Sequence, residues 1–138
     1  MPTFTHGKAT SLKVDNAAGT LTDISNVLTD VSFPQTIETA ETTSFGSNAK
    51  TYIVGLSDAT ISASGNFDVT VDTHLSAVLG QAATLSFEYG PEGVATGDAK
   101  YTGECIMTSY EKSGAVGDVV TFSVEFQVTG AVTRGTFA

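Results

Sequence analysis

The chain is predicted to be all-β with a single short helix, and three observations predict it. Residues 118–130, DVVTFSVEFQVTG, alternate without a slip. Val120, Phe122, Val124, Phe126 and Val128 fall on one side of an extended chain, and Thr121, Ser123, Glu125, Gln127 and Thr129 on the other. Period two marks a strand with one dry and one wet face. Threonine supplies 22 of the 138 residues, beside abundant Val, Ser and Gly, a bias that suits a pleated, half-buried surface. Only one segment, Val71–Gln81, has a convincing helical pattern. Hydrophobic residues make up 41% of the chain, so 1–138 is expected to be one globular domain burying about two-thirds of its unfolded surface.

Leu12 and Val14 end a first strand, and DNAAG, Asp15–Gly19, is a turn before Thr20 and Leu21. Ile24, Val27, Leu28 and Val31 have helical spacing, while Val27, Val31 and Phe33 also fit a strand. One helical turn near Ser25–Thr29, then a strand through Phe33, accommodates both, and Pro34 marks an edge or bend. Gln35–Lys50, QTIETAETTSFGSNAK, is polar and acidic and reads as a long loop or a two-stranded ribbon leaving the body. Loops of that length are usually functional. Tyr52–Leu56 precedes a strand in which Ile61, Ala63, Phe67 and Val69 share one phase, and Gly65 leaves a gap in it for a neighbour.

For the helix, expected over about residues 72–79, Asp72 is the N-cap, Leu75, Val78 and Leu79 are the buried stripe, and Gly80 is the left-handed stop. So short a helix must be held by packing against a sheet. Leu85, Phe87 and Tyr89 resume the strands, and GPEG, Gly90–Gly93, breaks them. Tyr101–Tyr110 is apolar on both parities with a phase change near Ile106 and Met107, which a β-bulge or two-sided burial explains. The tail AVTRGTFA is too rich in Gly and Thr to carry a core.

Fifteen acids against 6 bases give a net charge of −9. Binding nucleic acid by neutralising phosphates needs clustered Lys and Arg, so that class is excluded. Between Lys13 and Lys50 lie Asp15, Asp23, Asp30, Glu38 and Glu41 with no base, either a solvated face or a surface that repels an anion. The lone Cys105 allows no internal disulfide and reads as a buried, inert thiol. The start, MPTFTHGKATS, lacks the apolar run of a signal peptide, and no stretch reaches membrane-spanning length, so no membrane binding is expected.

No motif in the chain carries recognisable chemistry. His6 and His74 are the only imidazoles, and there is no Cys/His cluster to hold a transition metal. Gly7-Lys8-Ala9-Thr10 resembles the end of a phosphate loop without the upstream glycines or strand, and no serine sits in a G-x-S-x-G elbow. Asp58 and Asp68 are better read as backbone caps than as calcium ligands. No catalytic, cofactor-binding or metal site is expected.

YIVGLSDATISASGNFD, Tyr52–Asp68, with ETTSFG before it and VDTHLSAVLG, TLSFEYGP and FSVEFQVTGAVTRGTF after it, resembles the tail tube proteins of long-tailed bacteriophages. The resemblance runs from about Phe4 to Phe137 and is a whole-chain pattern. It implies a β-sandwich or barrel-like fold with one flanking helix. It also implies a non-enzymatic virion subunit, made in the host bacterial cytoplasm, that forms hexameric rings stacked into a tube. The tube conducts double-stranded DNA without binding it specifically, and tape measure and tail terminator proteins are the implied further partners.

By the same resemblance, ring-to-ring contacts fall to the N-terminal arm 1–7, the loop 35–50 and the C-terminal arm 130–138, through Phe4, His6, Glu38, Glu41, Phe45, Lys50, Arg134 and Phe137. The wet face of 118–130, with Thr121, Ser123, Glu125 and Gln127, is the expected lumen wall, and Asp68 a further acidic candidate. A long regular strand at a sheet edge invites aggregation unless covered, and 118–130 is expected to be such an edge, paired to a neighbouring subunit. Two other non-enzymatic classes share this character: a head–tail joining or capsid decoration protein, and a ligand-binding β-sandwich. The second needs a platform of exposed aromatics, for which only Tyr52, Tyr89, Tyr101 and Tyr110 are on hand.

Overall fold

Alternating sequence becomes a single antiparallel sheet whose dry side curls around one helix. The computed structural model describes residues 7–46 and 48–138, so Phe4, His6 and the arm before Gly7 lie outside the described residues. In chain order the strands are β1 (Ser11–Asp15), β2 (Leu21–Asp23), β3 (Leu28–Ser32), β4 (Gln35–Glu41), β5 (Tyr52–Asn66), β6 (Leu85–Gly90), β7 (Ala99–Ser113) and β8 (Thr121–Thr136). The helix α1 (Val69–Val78) joins β5 to β6. The sheet order is β2-β1-β6-β7-β8-β5-β3, and β4 also pairs with β5.

Local chemistry explains the connections. Asn16 Oδ1 accepts from the backbone N–H groups of Ala18 (2.9 Å) and Thr20 (3.0 Å), which closes the turn between β1 and β2. A 3-10 turn at Ser25–Val27 leads into β3, as the mixed spacing there predicts. Gly65 marks a close crossing, since a Cβ on it would lie 2.1 Å from the Val27 carbonyl oxygen. Phe33, past the end of β3, packs edge-on against Phe87, Tyr89 and Tyr101, so one sheet margin folds over strands from the other half.

The core is the dry side. Phe122, Val124, Phe126 and Val128 of β8 are buried with Ile61, Ala63, Phe87 and Met107 under the helix residues Val71, Leu75 and Val78. Each of these apart from Ala63 contributes about 1.5–3 kcal/mol of hydrophobic stabilisation.

Four expectations are corrected. The helix starts at Val69 rather than near 72, because Asp68, not Asp72, caps it by accepting from the Val71 N–H at 3.3 Å. Asp72 instead sits in the first turn and accepts from the Tyr110 hydroxyl at 2.7 Å, tying α1 to β7. The 35–50 segment is only partly a loop: Gln35–Glu41 pairs with Tyr52–Ala59 as the ribbon that was the other option.

The 130–138 segment is not an arm. It continues β8, with Thr133–Thr136 paired to Ala99–Thr102 at the start of β7, and Phe137 exchanges backbone hydrogen bonds with Gly97 and Asp98. Finally, β8 begins at Thr121 rather than at 118 and is no edge strand, since it lies between β7 and β5. Alternation reports two faces but not what lies to either side, so it cannot separate an edge from the middle.

Candidate functional site

The wet side of β3, β5, β8 and β7 forms two register-matched rows. One runs Ser32, Ser62, Glu125, Ser109, and the next runs Asp30, Ser64, Ser123, Glu111. Asn66, Thr121 and Ser113 continue the surface below them. Asp30, Glu111, Glu125 and their serine neighbours line a groove along this face. The rows hold three carboxylates, several hydroxyls and no base. At a strand spacing of about 4.8 Å, Asp30 and Glu111 stand roughly 14 Å apart, too far to share an ion. Among the described residues no three potential metal ligands cluster.

The bulge in β7 makes the rows possible. Register shifts between Met107 and Ser109, so Thr108 is extra, and its hydroxyl donates to the Glu125 carbonyl at 3.2 Å. Cys105 and Met107 stay in the core before it, while Ser109 and Glu111 face the rows after it. The phase change expected near Ile106 and Met107 is this bulge.

Of the expected lumen residues, Thr121, Ser123 and Glu125 share the exposed face. Gln127 is half-buried, with its amide held by Asp58, Ala59 and Val128. Asp68 belongs elsewhere, since its carboxylate is engaged at the helix N-terminus. Sequence reasoning missed Ser62, Ser64, Ser109 and Glu111. Ser62 and Ser64 were legible, alternating with Ile61 and Ala63, but Ser109 and Glu111 were hidden by the bulge.

The second feature is the β4–β5 hairpin, exposed along all of β4 and over Tyr52–Asp58 of β5. Ile37 (56% exposed), Ile53 (58%), Val54 (77%) and Leu56 (77%) stand on it, and Phe45 is wholly exposed beyond β4. Glu38 and Glu41 lie on β4, and Phe45 and Lys50 in the connection, so these four expected contacts share one projection. Arg134 and Phe137 do not join it, because Arg134 pairs with Tyr101 and Phe137 lies under Lys100. Ile37, Ile53, Val54 and Leu56 were not legible as contacts, because apolar side chains in a strand ordinarily mark a core.

Among the described residues no reactive group stands at either feature. Burial, first, and the nearby Glu104 and Asp15 carboxylates push the Cys105 thiol up to about 12, so it stays protonated and inert. Burial and the Asp72 hydrogen bond raise Tyr110 well above the usual phenol range. His74 Nε2 donates to the Asp15 carbonyl at 2.9 Å, a packing role for the helix. Glu104 accepts from the hydroxyls of Thr84 (2.8 Å) and Ser86 (2.6 Å). No helix among the described residues is long and apolar enough to cross a membrane.

The fold recurs in known proteins. No curated protein matches the chain in sequence at a significant level. Among solved structures, a chain from the tail of an empty gene transfer agent particle, determined with C6 symmetry, superposes with a TM-score of 0.80 at 19% identity, covering 96% of this chain and 100% of that one. The tail tube of SPP1 superposes with a TM-score of 0.78 at 12% identity, over 98% of this chain and 81% of that one. A chain from the sheath–tube complex of an extracellular contractile injection system gives 0.69 at 14% identity, over 96% and 92%. At these identities the likeness is one of fold. The profile of the phage tail tube protein family matches residues 4–134, nearly the whole sequence. The chain therefore belongs to the phage tail tube protein family, as a structural subunit of the viral tail and not an enzyme.

Proposed function

We propose that six copies join edge to edge into a ring with the hydroxyl-and-acid face inward, and that rings stack through the hairpin into a channel for double-stranded DNA. The observation that carries this reading is an acidic face that holds no base among the described residues, bounded by two unpaired strand edges. Among the described residues β3 pairs only with β5, and β7 has no partner beyond Cys105 on the side away from β8. The directions alternate across β3, β5, β8 and β7. The β3 of a second copy, set beside residues 106–113 in the same orientation, therefore continues the antiparallel pattern. The two edges differ, so such pairing is head-to-tail, and it closes into a ring or runs on as a filament. Six is the symmetry of the gene transfer agent tail.

A duplex carries one charge about every 1.7 Å along its axis and would adhere to a basic wall. A wall of serines and carboxylates offers phosphate no partner, and with no aromatic in the rows it offers bases no stacking platform. Monomers rarely expose large apolar patches, which supports the hairpin as a contact with the next ring. A tape measure protein within the channel and a terminator at its end complete the assembly we infer. Electron microscopy of concentrated protein tests the core of this: rings or tubes with six-fold end views are expected. A strictly monomeric species at every concentration, after long incubation, would overturn it.

A further inference from the structure

Gln127 stands where the sheet divides. From Asn66 back to Thr60, β5 is bonded to β8, and Thr60 opposite Gln127 is the last pair. Beyond it β5 leaves with β4 as the hairpin, while β8 goes on with β7 to Thr136. A cleft opens there between Ile37, Ser57 and Asp58 on one side and Gly130, Ala131 and Val132 on the other.

A strand pair parting inside a sheet leaves backbone carbonyls without their ladder partners. The Gln127 amide takes that place. Its two N–H groups face three acceptors, Asp58 Oδ1 at 2.6 Å, the Ala59 carbonyl at 3.1 Å and the Val128 carbonyl at 3.3 Å, so one group touches both arms of the fork. All three neighbours are acceptors, which fixes the amide with its nitrogen inward. Asp58 is itself held, since Oδ1 also accepts from the Ala59 N–H at 3.0 Å, and the Asp58 carbonyl accepts from Thr36 Oγ1 of β4 at 3.4 Å.

We infer that Gln127 and Asp58 form a clamp that sets the angle at which the hairpin leaves the body, making Gln127 a positioning residue for stacking rather than a channel-lining one. The part of this concerned with stacking rests on the hairpin being the ring-to-ring contact; the clamp itself does not. An exposed two-stranded ribbon is flexible about its root, and two strand ends alone leave one free direction of swing. A side-chain hydrogen bond across the fork removes that freedom in the free subunit, so less ordering remains to be done on contact.

The test is a spin-label distance measurement on dilute full-length protein, with nitroxides at S44C near the hairpin tip and A83C after the helix. Cys105 is fully buried and escapes labelling. The wild-type background is expected to give one narrow distance distribution. Gln127→Glu keeps the shape but sets a carboxylate against three acceptors, and is expected to broaden or shift the distribution. Asp58→Asn keeps the Oδ1 acceptor and is expected to leave it narrow. Far-UV circular dichroism and thermal melting of the same samples report whether the body remains folded. An unfolded Gln127→Glu is replaced by Gln127→Ala, which removes the donors without adding charge and is expected to broaden the distribution. A folded Gln127→Glu or Gln127→Ala with a distribution as narrow and centred as the wild type would overturn the clamp. Microscopy of the same variants then reads stacking separately: altered tube twist with intact rings supports the positioning role, and unaltered tubes from a folded, broadened variant refute it.

Discussion

Replacing Glu125 by Lys probes the proposed channel wall at its centre. Glu125 is exposed between Ser62 and Ser109 in register, and only its backbone carbonyl is used by Thr108, so the swap should alter folding stability by no more than about 0.5 kcal/mol. Its electrostatic effect is larger. A wall charge and a phosphate about 8 Å apart interact by about 0.5 kcal/mol in water. Screening over one Debye length, about 8 Å at physiological salt, leaves about 0.2 kcal/mol. Reversing the sign turns that repulsion into attraction, about 0.4 kcal/mol per copy. A ring of six then gains about 2.4 kcal/mol, or roughly 50-fold in retention of a duplex. The assay is retention of a fluorescent duplex by assembled tubes at low and at physiological ionic strength, with Glu88→Lys on β6, outside both the rows and the hairpin, as a control of equal charge change. Retention should rise with Glu125→Lys alone and fall as salt is added. Equal retention by the two variants, or none by either, would refute the assignment of this face to the channel.

Other outcomes follow from the packing. Gly65→Ala sets a methyl group against the Val27 carbonyl and should cost about 2–3 kcal/mol in urea unfolding, by forcing β3 away from β5. Asp68→Ala removes the helix cap and should cost about 1 kcal/mol, whereas Asp72→Ala should spare the cap and release the Tyr110 hydroxyl. Paired Val54→Ser and Leu56→Ser changes, both at exposed positions, should leave the melting temperature unchanged but raise the concentration needed for stacking, read by light scattering. The Cys105 thiol ionises near 9.0 when unfolded and near 12 when folded, so its contribution is complete below pH 9.0 and is lost as pH rises through 12. Cys105→Ala should flatten that alkaline decline in stability, and alkylation of the wild type should require unfolding.

The sequence by itself determined the strand class, the core of β8 and the wet, acidic character of the opposite face. These depend on period two and on side-chain chemistry, which travel with the residues wherever the chain goes. Gly65 was legible for the same reason, as a gap in an apolar phase. The helix was legible as an element but not in its start, because Asp68 and Asp72 are both competent caps and only the entry of the chain from β5 chooses between them. Tertiary structure alone decided which strands neighbour which. It put β8 inside the sheet, drew 130–136 into that strand, and lined Ser62, Ser64, Ser109 and Glu111 up with Ser123 and Glu125. Those choices rest on backbone hydrogen bonds, which are nearly alike for every residue type and so leave little trace in the sequence. The same holds at Gln127: alternation assigned it to the wet face, but the fork that it spans exists only because β5 leaves β8 at Thr60.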